Sequence, residues 1–238
     1  GDVLLSTPVV DALKTRFPDC EIDMLVYAGT GQLIADNPQI AQIFTIDRNW
    51  KKLGVLKQLA CEKNLLSKLK ARDYDWAFNL SDQWRAAIIA KLCARCSVGL
   101  DCIKRDGFWW RFCHDFINHE LDTSHHIVEN QLNILAPLIQ PEDVADAKVR
   151  LWVAQDARES MRQKLREQGW NGEDYVLLHP GARWHFKCWE DGKNAAIVQL
   201  LLNSGQNVVL TASHNTVEQY MLQEIIGRLN IPEGRKVY

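Results

Sequence analysis

The stretch Tyr175-Val-Leu-Leu-His-Pro-Gly-Ala-Arg-Trp-His-Phe-Lys-Cys-Trp189 decides the fold class of this chain. Its first four residues form an apolar run typical of a buried strand, and residues 190–202 after it have the apolar spacing of a helix. The Pro-Gly turn therefore leads from a strand into a helix, at the carboxyl edge of an open α/β sheet, where ligands bind.

This loop has the charge of an anion-binding site. It carries Arg183 and Lys187 and contains no acid from His179 to Trp189. Free backbone N–H groups at the start of a helix favour anions, and Arg and Lys add a planar fork and a point charge for phosphate. The alternative interpretation is a surface loop with two solvated cations.

Strand and helix signals alternate on both sides of the loop. The patterns predict strands at residues 22–27, 42–46, 76–80, 149–153, 175–178 and 207–211. They predict helices at residues 8–17, 51–71, 83–96, 126–138, 155–168, 190–202 and 216–229, with Thr7 as the N-cap of the first. This β-α-β order predicts parallel sheets with helices on both faces. Residues 137–146 read as a linker, which divides the chain into domains at 1–145 and 146–238.

Composition excludes several classes of protein. Hydrophobic residues make up 47% of the 238 residues, enough for sizeable cores, and no apolar run approaches the ~20 residues that span a bilayer. A net charge of −2 argues against a general nucleic-acid binder. Seven cysteines at irregular positions indicate a reducing compartment. Cys93 and Cys96 form a lone CxxC pair, so packing is favoured over zinc, and we expect no metal site.

Four segments, in order, resemble glycosyltransferase family 9, the bacterial lipopolysaccharide heptosyltransferases. They are Gly1-Asp-Val-Leu-Leu-Ser-Thr-Pro8, Phe78-Asn-Leu-Ser-Asp-Gln-Trp84, His126-Ile-Val-Glu-Asn-Gln-Leu132 and the loop at 179–189. Together they extend over nearly the whole chain. The phrases Ser81-Asp-Gln-Trp84, Ala182-Arg183 and Phe186-Lys-Cys-Trp189 are most similar to the heptosyltransferase III branch, which adds the side-branch heptose.

The resemblance implies a GT-B fold, with two Rossmann-like doubly wound domains. It implies an inverting, metal-independent enzyme without a cofactor, which transfers heptose from ADP-L-glycero-D-manno-heptose to the heptose region of the lipopolysaccharide inner core. It implies a cytoplasmic location, peripheral on the inner membrane. The alternatives are a heptosyltransferase acting earlier on the same core and a non-catalytic nucleotide-binding module. A dehydrogenase is disfavoured, since Gly29-Thr-Gly31 lacks the third glycine and the downstream acid of a dinucleotide fingerprint.

The two ends also differ from the family pattern. Gly1 falls inside a strand-to-helix turn, and residues 235–238 read as the opening of another strand. We therefore expect the chain to lack the family's first strand and the last part of its second domain, and to be inactive by itself.

Asp2 is the candidate catalytic base. It lies in a Gly-Asp turn before a helix, where the helix dipole favours an ionised carboxylate. Inverting transfer needs one such group to take the proton of the acceptor hydroxyl. The residues alone favour a helix cap, whereas the family's catalytic aspartate occupies the matching position.

The donor side is predicted in the second domain. Lys187 and Arg183 would bind the diphosphate, with Gly181 and Ala182 in the same loop, because the leaving group needs positive charge where negative charge develops. The chain has no DxD triplet that would bring a metal to the diphosphate. By resemblance, an acid near Thr211 and Glu218 would hold the ribose hydroxyls; the alternative for Glu218 is a solvated helix glutamate. His179 and His185 are interpreted as structural.

Two further segments are candidates for binding. Residues 48–72 carry eight cations and one acid, with leucines 53, 56, 59, 66 and 69 near helical spacing. They predict a helix whose apolar face packs on the sheet and whose basic residues, including Lys51, Lys52 and Lys57, contact the acceptor or an anionic membrane. Phe108-Trp-Trp-Arg-Phe112 predicts core or lid packing, or a platform for a sugar ring. His125 and His126 are interpreted as helix capping residues.

Overall fold

The computed structural model describes residues 2–101, 107–118, 124–182 and 184–238. It divides into two compact units, Gly1–Val153 and Ala154–Tyr238. The sequence-based boundary, 145/146, lies eight residues before the structural one. Residues 147–153 belong to the first unit because the backbone N–H groups of Lys148 and Arg150 donate to Asp11 Oδ2 and Thr7 Oγ1, each at 3.2 Å.

Within its described residues, the first unit contains two parallel sheets. β1 (Asp23–Tyr27) pairs with β2 (Gln42–Ile46), and β3 (Tyr74–Asn79) pairs with β4 (Ala94–Leu100), which pairs with β5 (Phe116–Asn118). The helices of this unit are α1 (Asp2–Leu5), α2 (Thr7–Arg16), α3 (Val55–Lys70), α4 (Trp84–Cys93), α5 (Phe108–Phe112), α6 (Ile127–Leu132) and α7 (Pro141–Val144). Short 3₁₀ turns lie at Gly31–Leu33, Arg48–Lys52 and Asn133–Leu135.

The second unit has one parallel pair of strands. Its elements are α8 (Gln155–Glu167), β6 (Tyr175–Leu178), a 3₁₀ turn at His185–Lys187, α9 (Asp191–Asn203), β7 (Asn207–Leu210) and α10 (Thr216–Gly227). All four residues of β7 are buried, and Val237 forms a parallel bridge with Val208. Val198, Leu202 and Ile225 pack against β7, so α9 and α10 cover the core of this unit.

The predicted strand at 149–153 and the end of the predicted helix at 83–96 differ from the structure. Residues 149–153 form no strand, and the N–H of Arg150 donates to the Thr7 side chain of α2 rather than to a neighbouring strand. The helix predicted at 83–96 ends at Cys93, and β4 starts at the next residue. Pairing of β4 with β3 and β5 buries Val98 completely, and this packing overrides the local helical pattern.

The predicted N-cap residue is wrong for α2 and right for α6. Ser6, not Thr7, is the N-cap residue of α2, and Thr7 Oγ1 instead donates to the Leu4 carbonyl oxygen at 2.8 Å. The capping role predicted for His126 is confirmed, since its Nδ1 accepts the N–H of Val128 at 3.3 Å and the Glu129 side chain accepts the N–H of His126 at 3.2 Å.

The predicted packing of α3 is wrong for its first half. Leu65 and Leu69 are buried with Phe44 and Ile46, whereas Leu53, Leu56 and Leu59 are exposed. Gly54, at φ +81°, separates the 3₁₀ turn from the helix. The apolar spacing therefore extends over the whole helix, although the sheet covers only its second half.

In the described part of the chain, no helix combines the length and the apolar character needed to cross a membrane.

Candidate functional site

The loop after β6 lies beside the loop after β7. The N–H of Thr211 donates to the Leu178 carbonyl oxygen at 3.1 Å, so the carboxyl ends of the two parallel strands are adjacent. His179 Nδ1 is 2.9 Å from the Thr211 carbonyl oxygen and 3.0 Å from its Oγ1. Since a carbonyl oxygen only accepts, Nδ1 carries the proton, and in the neutral ring Nε2 is left as an acceptor. His179, predicted as structural, thus connects the two loops.

Glu218 lies at the start of α10 and is only 9% exposed. Its Oε2 accepts the backbone N–H of Ser213 at 2.7 Å, and its Oε1 accepts from Asn215 Nδ2 at 2.9 Å. The pKa of this carboxyl group is lowered, first by the hydrogen bond from the Ser213 backbone and also by the Ser213 and Asn215 side chains and His179. The interpretation of Glu218 as a solvated helix glutamate is therefore wrong: it is a buried carboxylate.

Gly181 makes room for this carboxylate. A Cβ atom at Gly181 would lie 2.7 Å from Glu218 Oε2 and 2.8 Å from its Cδ. Gly181 and its half-buried neighbour Ala182 therefore bring the backbone of the first loop against the acid of the second. Of the predicted donor residues, Gly181, Ala182, Thr211 and Glu218 come together at this edge of the sheet.

Lys187 ends the exposed 3₁₀ turn of the same loop. Its Nζ lies 6.0 Å from the centroid of the Phe186 ring, and no carboxylate of the described residues pairs with it. Phe186 stacks with Trp184 at 6.3 Å and is itself exposed. Lys187 is thus a cation available to a ligand at the surface. Arg183, the other predicted cation, lies outside the described residues.

Asp2 is the exposed first residue of α1 in the first unit. Its helix contacts the 3₁₀ turn at Gly31–Leu33, which follows β1. α1 therefore lies near the carboxyl end of β1, the edge at which a base was expected.

Lys51 and Lys52 are exposed at the end of the 3₁₀ turn before α3, and Lys57 is exposed on its first turns. No carboxylate among the described residues forms an ion pair with these three ammonium groups. They belong to the first unit.

Sequence reasoning missed the parts played by Ser213 and Asn215. Asn215 is the N-cap of α10, where its Oδ1 accepts the N–H of Glu218 at 2.8 Å, and its Nδ2 donates to Ser213 Oγ at 2.6 Å. The spacing Asn215-x-x-Glu218 is the signal that could have revealed them, because a capping residue followed three positions later by Glu marks a helix start.

This edge of the sheet has the chemistry of a site for a polar anion. A buried carboxylate suits hydroxyl donors, and an unpaired ammonium group suits a phosphate. Within the described residues, no three His, Cys, Asp or Glu side chains come close enough together to hold a metal ion.

The chain matches the model of glycosyltransferase family 9 (heptosyltransferase) over residues 63–233. Because this match covers well over half of the chain, the chain belongs to that family. The family predicted from the sequence is confirmed.

Relatives within the family are lipopolysaccharide heptosyltransferases. The chain is 34% identical over 226 residues to lipopolysaccharide heptosyltransferase 3 of Escherichia coli, covering 94% of this chain and 64% of that protein. It is 33% identical over 228 residues to the protein of the same name from strain K12, with the same two shares. The chain thus spans about 64% of the length of these curated relatives.

Solved structures support the fold. The glycosyl transferase family 9 protein of Veillonella parvula DSM 2008 gives a TM-score of 0.80 at 17% identity, over 100% of this chain and 65% of that one. E. coli heptosyltransferase WaaC with ADP gives 0.73 at 16% identity, over 100% and 71%. E. coli ADP-heptose lps heptosyltransferase II gives 0.73 at 18%, over 100% and 69%. The predicted α/β fold of the GT-B type is confirmed.

Proposed function

We propose that this chain belongs to an enzyme that transfers heptose from ADP-L-glycero-D-manno-heptose to the heptose region of the lipopolysaccharide inner core. The observation that carries the proposal is the sheet edge where Gly181, Thr211 and Glu218 meet in a family 9 chain, with Lys187 exposed on the loop that carries Gly181. A related fold, WaaC, has been solved with ADP and with ADP-2-deoxy-2-fluoro heptose, which supports a nucleotide-sugar donor. The similarity to heptosyltransferase 3 favours the side-branch heptose as the sugar that is added.

The donor residues have separate tasks. Lys187, with Arg183, stabilises the negative charge that develops on the departing diphosphate, and this charge stabilisation takes the place of a metal ion. Glu218 is ionised and accepts hydrogen bonds from ribose hydroxyls. Gly181 and Ala182 allow the loop to approach both the ligand and Glu218. No cofactor takes part.

Asp2 is the general base. Its carboxylate takes the proton of the acceptor hydroxyl as that oxygen attacks the anomeric carbon, while the bond to the diphosphate breaks on the opposite face. The heptose is therefore transferred with inversion, and ADP leaves with the electron pair of the broken bond.

Replacement of Asp2 tests the base. In the complete gene product, Asp2→Asn keeps the size and capping ability of the side chain and removes the proton acceptor. Turnover should fall by at least about 10²-fold, the lower end for a positioned acid–base group, while donor affinity changes little. A coupled ADP-release assay measures turnover, and Asp19→Asn, a change of another exposed carboxylate, is the control. If a folded Asp2→Asn protein keeps near-normal turnover, Asp2 is not the base and serves only as the first residue of α1.

The acceptor is tested in the cell. Lipopolysaccharide from a strain lacking this gene should lose a side-branch heptose, measured by mass spectrometry of the core. A core cut short at the first heptoses would support the alternative enzyme that acts earlier. An unaltered core, together with ADP-heptose binding without turnover, would support a nucleotide-binding module.

The acceptor is anchored in a lipid bilayer, so the enzyme should be cytoplasmic and peripheral on the inner membrane. The exposed Lys51, Lys52 and Lys57 are the residues proposed to contact the acceptor or the anionic membrane.

A further inference from the structure

The helix α5 exposes three aromatic rings to water. Phe108 is 73% exposed, Trp109 68% and Phe112 61%, and only Trp110 is buried. The three exposed rings contact one another, with centroid distances of 5.5, 6.3 and 6.5 Å. The prediction that this segment packs in a core is therefore wrong for these three residues. A cluster of exposed aromatic rings marks a surface for interaction.

The first half of α3 is exposed in the same way. Leu56 is 84% exposed, Val55 74% and Leu59 59%. Exposed ammonium groups surround these side chains, from Lys51 and Lys52 before the helix and from Lys57 and Lys63 on it. No described carboxylate pairs with these four lysines. The one acid on α3, Glu62, is neutralised by Arg85 at 2.8 Å.

The start of α4 connects these two helices. Arg85 of α4 pairs with Glu62 of α3, and its neighbour Trp84 meets Trp110 of α5 edge to face, at 5.4 Å between ring centroids. Ala87, one turn further, packs with Trp110. The two exposed sets therefore lie on helices that both contact the start of α4, and we call them together the α3–α5 surface.

We infer that the α3–α5 surface docks this protein on an anionic lipid bilayer, with α5 as an aromatic anchor. Trp and Phe side chains are favoured at the membrane interface, where an apolar ring enters the acyl region. Unpaired lysines around an apolar patch complement anionic headgroups. A protein partner fits less well, since lysine is depleted at the centre of protein interfaces. The inference rests on the peripheral location proposed above and assigns it to particular residues.

Vesicle binding tests the surface directly. The complete gene product is mixed with vesicles of equal parts phosphatidylglycerol and phosphatidylcholine, and the bound fraction is measured by sedimentation. We expect the double variant Trp109→Ser, Phe112→Ser and the single variant Leu56→Ser each to bind at least about tenfold more weakly, because each loses apolar area that enters the bilayer. Lys57→Ala should weaken binding less, and salt should weaken the binding of the unaltered protein.

Matched variants serve as controls for vesicle binding. Leu200→Ser removes an equally exposed apolar side chain of the second unit and should bind vesicles normally. Thermal unfolding by circular dichroism checks that each variant is folded. Equal binding to pure phosphatidylcholine vesicles, or unchanged binding of the Trp109/Phe112 variant, would overturn the inference. If analytical ultracentrifugation shows a dimer that the Trp109/Phe112 variant disrupts, and vesicle binding is unchanged, the surface is an interface with a second copy of the chain instead.

A soluble acceptor separates membrane docking from the proposed transfer. With deacylated core oligosaccharide, the Trp109/Phe112 variant should keep the normal rate, because no membrane has to be reached. If the unaltered protein transfers no heptose but the variant still loses vesicle binding, the proposed function fails and the docking surface stands. If transfer occurs and the Trp109/Phe112 variant binds vesicles normally, the proposed function stands and the docking surface fails.

Discussion

Each unit contains a glycine that makes room for a titratable side chain, yet the two places differ in chemistry. A Cβ atom at Gly99 would lie 2.6 Å from the His114 ring, and one at Gly181 would lie 2.7 Å from the Glu218 carboxylate. His114 is buried, with Nδ1 3.0 Å from the Trp110 carbonyl oxygen and Nε2 3.2 Å from Asn79 Nδ2. The carbonyl oxygen accepts and the amide donates, so a neutral ring has both nitrogens satisfied.

Glu218 differs because it still has acceptor capacity. An ionised carboxylate has about four acceptor positions. The bonds from Ser213 and Asn215 occupy only part of them, at a sheet edge where Lys187 is exposed. A close approach to glycine therefore does not by itself define a site. A polar group with remaining capacity, against a loop that carries an exposed cation, does.

The largest effect that we expect in this comparison is loss of donor binding without Lys187. In the complete gene product, Lys187→Ala removes a charge-assisted contact to the donor phosphates worth about 1.5–3 kcal/mol, so ADP-heptose affinity should fall about 10–150-fold. Isothermal titration calorimetry measures the affinity. Lys193→Ala is the control, since Lys193 is an exposed lysine of α9 that forms an ion pair with Glu190. If donor affinity is unchanged, the charge of Lys187 does not distinguish the place at Gly181 and Glu218 from the place at Gly99 and His114.

The next largest effect that we expect comes from replacing Gly99 and Gly181 by alanine. Gly99→Ala should destabilise the protein by about 1–3 kcal/mol, because a buried ring with both nitrogens bonded cannot move away from the new methyl group. Gly181→Ala should change the free energy of unfolding by less than about 1 kcal/mol, since the end of a flexible side chain can shift. It should nevertheless weaken donor binding, because Glu218 is displaced.

Urea unfolding and donor titration of the same two variants check this pair. If Gly181→Ala destabilises the protein as much as Gly99→Ala and leaves donor affinity intact, the two places are equivalent and both are structural.

The smallest effect concerns pH. Burial lowers the pKa of His114 below its ordinary value of 6.5. The unfolded chain then binds more protons than the folded one as pH falls below 6.5, so the contribution of neutral His114 is present above that pH and is lost as pH falls. Melting temperatures should therefore decrease less steeply on acidification in His114→Gln than in the unaltered protein. Parallel curves from pH 8 to about 5.5 would mean that folding does not lower the pKa of His114, which would contradict this expectation.

Much of the architecture is predictable because it depends on local periodicity. The strands at 42–46 and 175–178 have the bounds that their patterns predict, and the helices α8, α9 and α10 lie where apolar spacing indicated. The position of the acid-free loop after β6 follows from the same patterns, since the residues after a parallel strand lie at the carboxyl edge of its sheet. The family was recognisable for a related reason, because its motifs are short segments whose order the sequence retains.

Burial could not be predicted in this way, because it depends on residues far apart in the chain. The spacing of α3 predicted one continuous apolar face, but the sheet beneath it covers Leu65 and Leu69 and leaves Leu56 exposed. Glu218 has the sequence context of a surface residue but is buried, with Gly181, 37 positions earlier, lying against it. The sequence by itself determined the order of strands and helices and the loop that carries Lys187. The tertiary structure decided which apolar faces and which charges remain exposed, since only the packed chain fixes what covers each side chain.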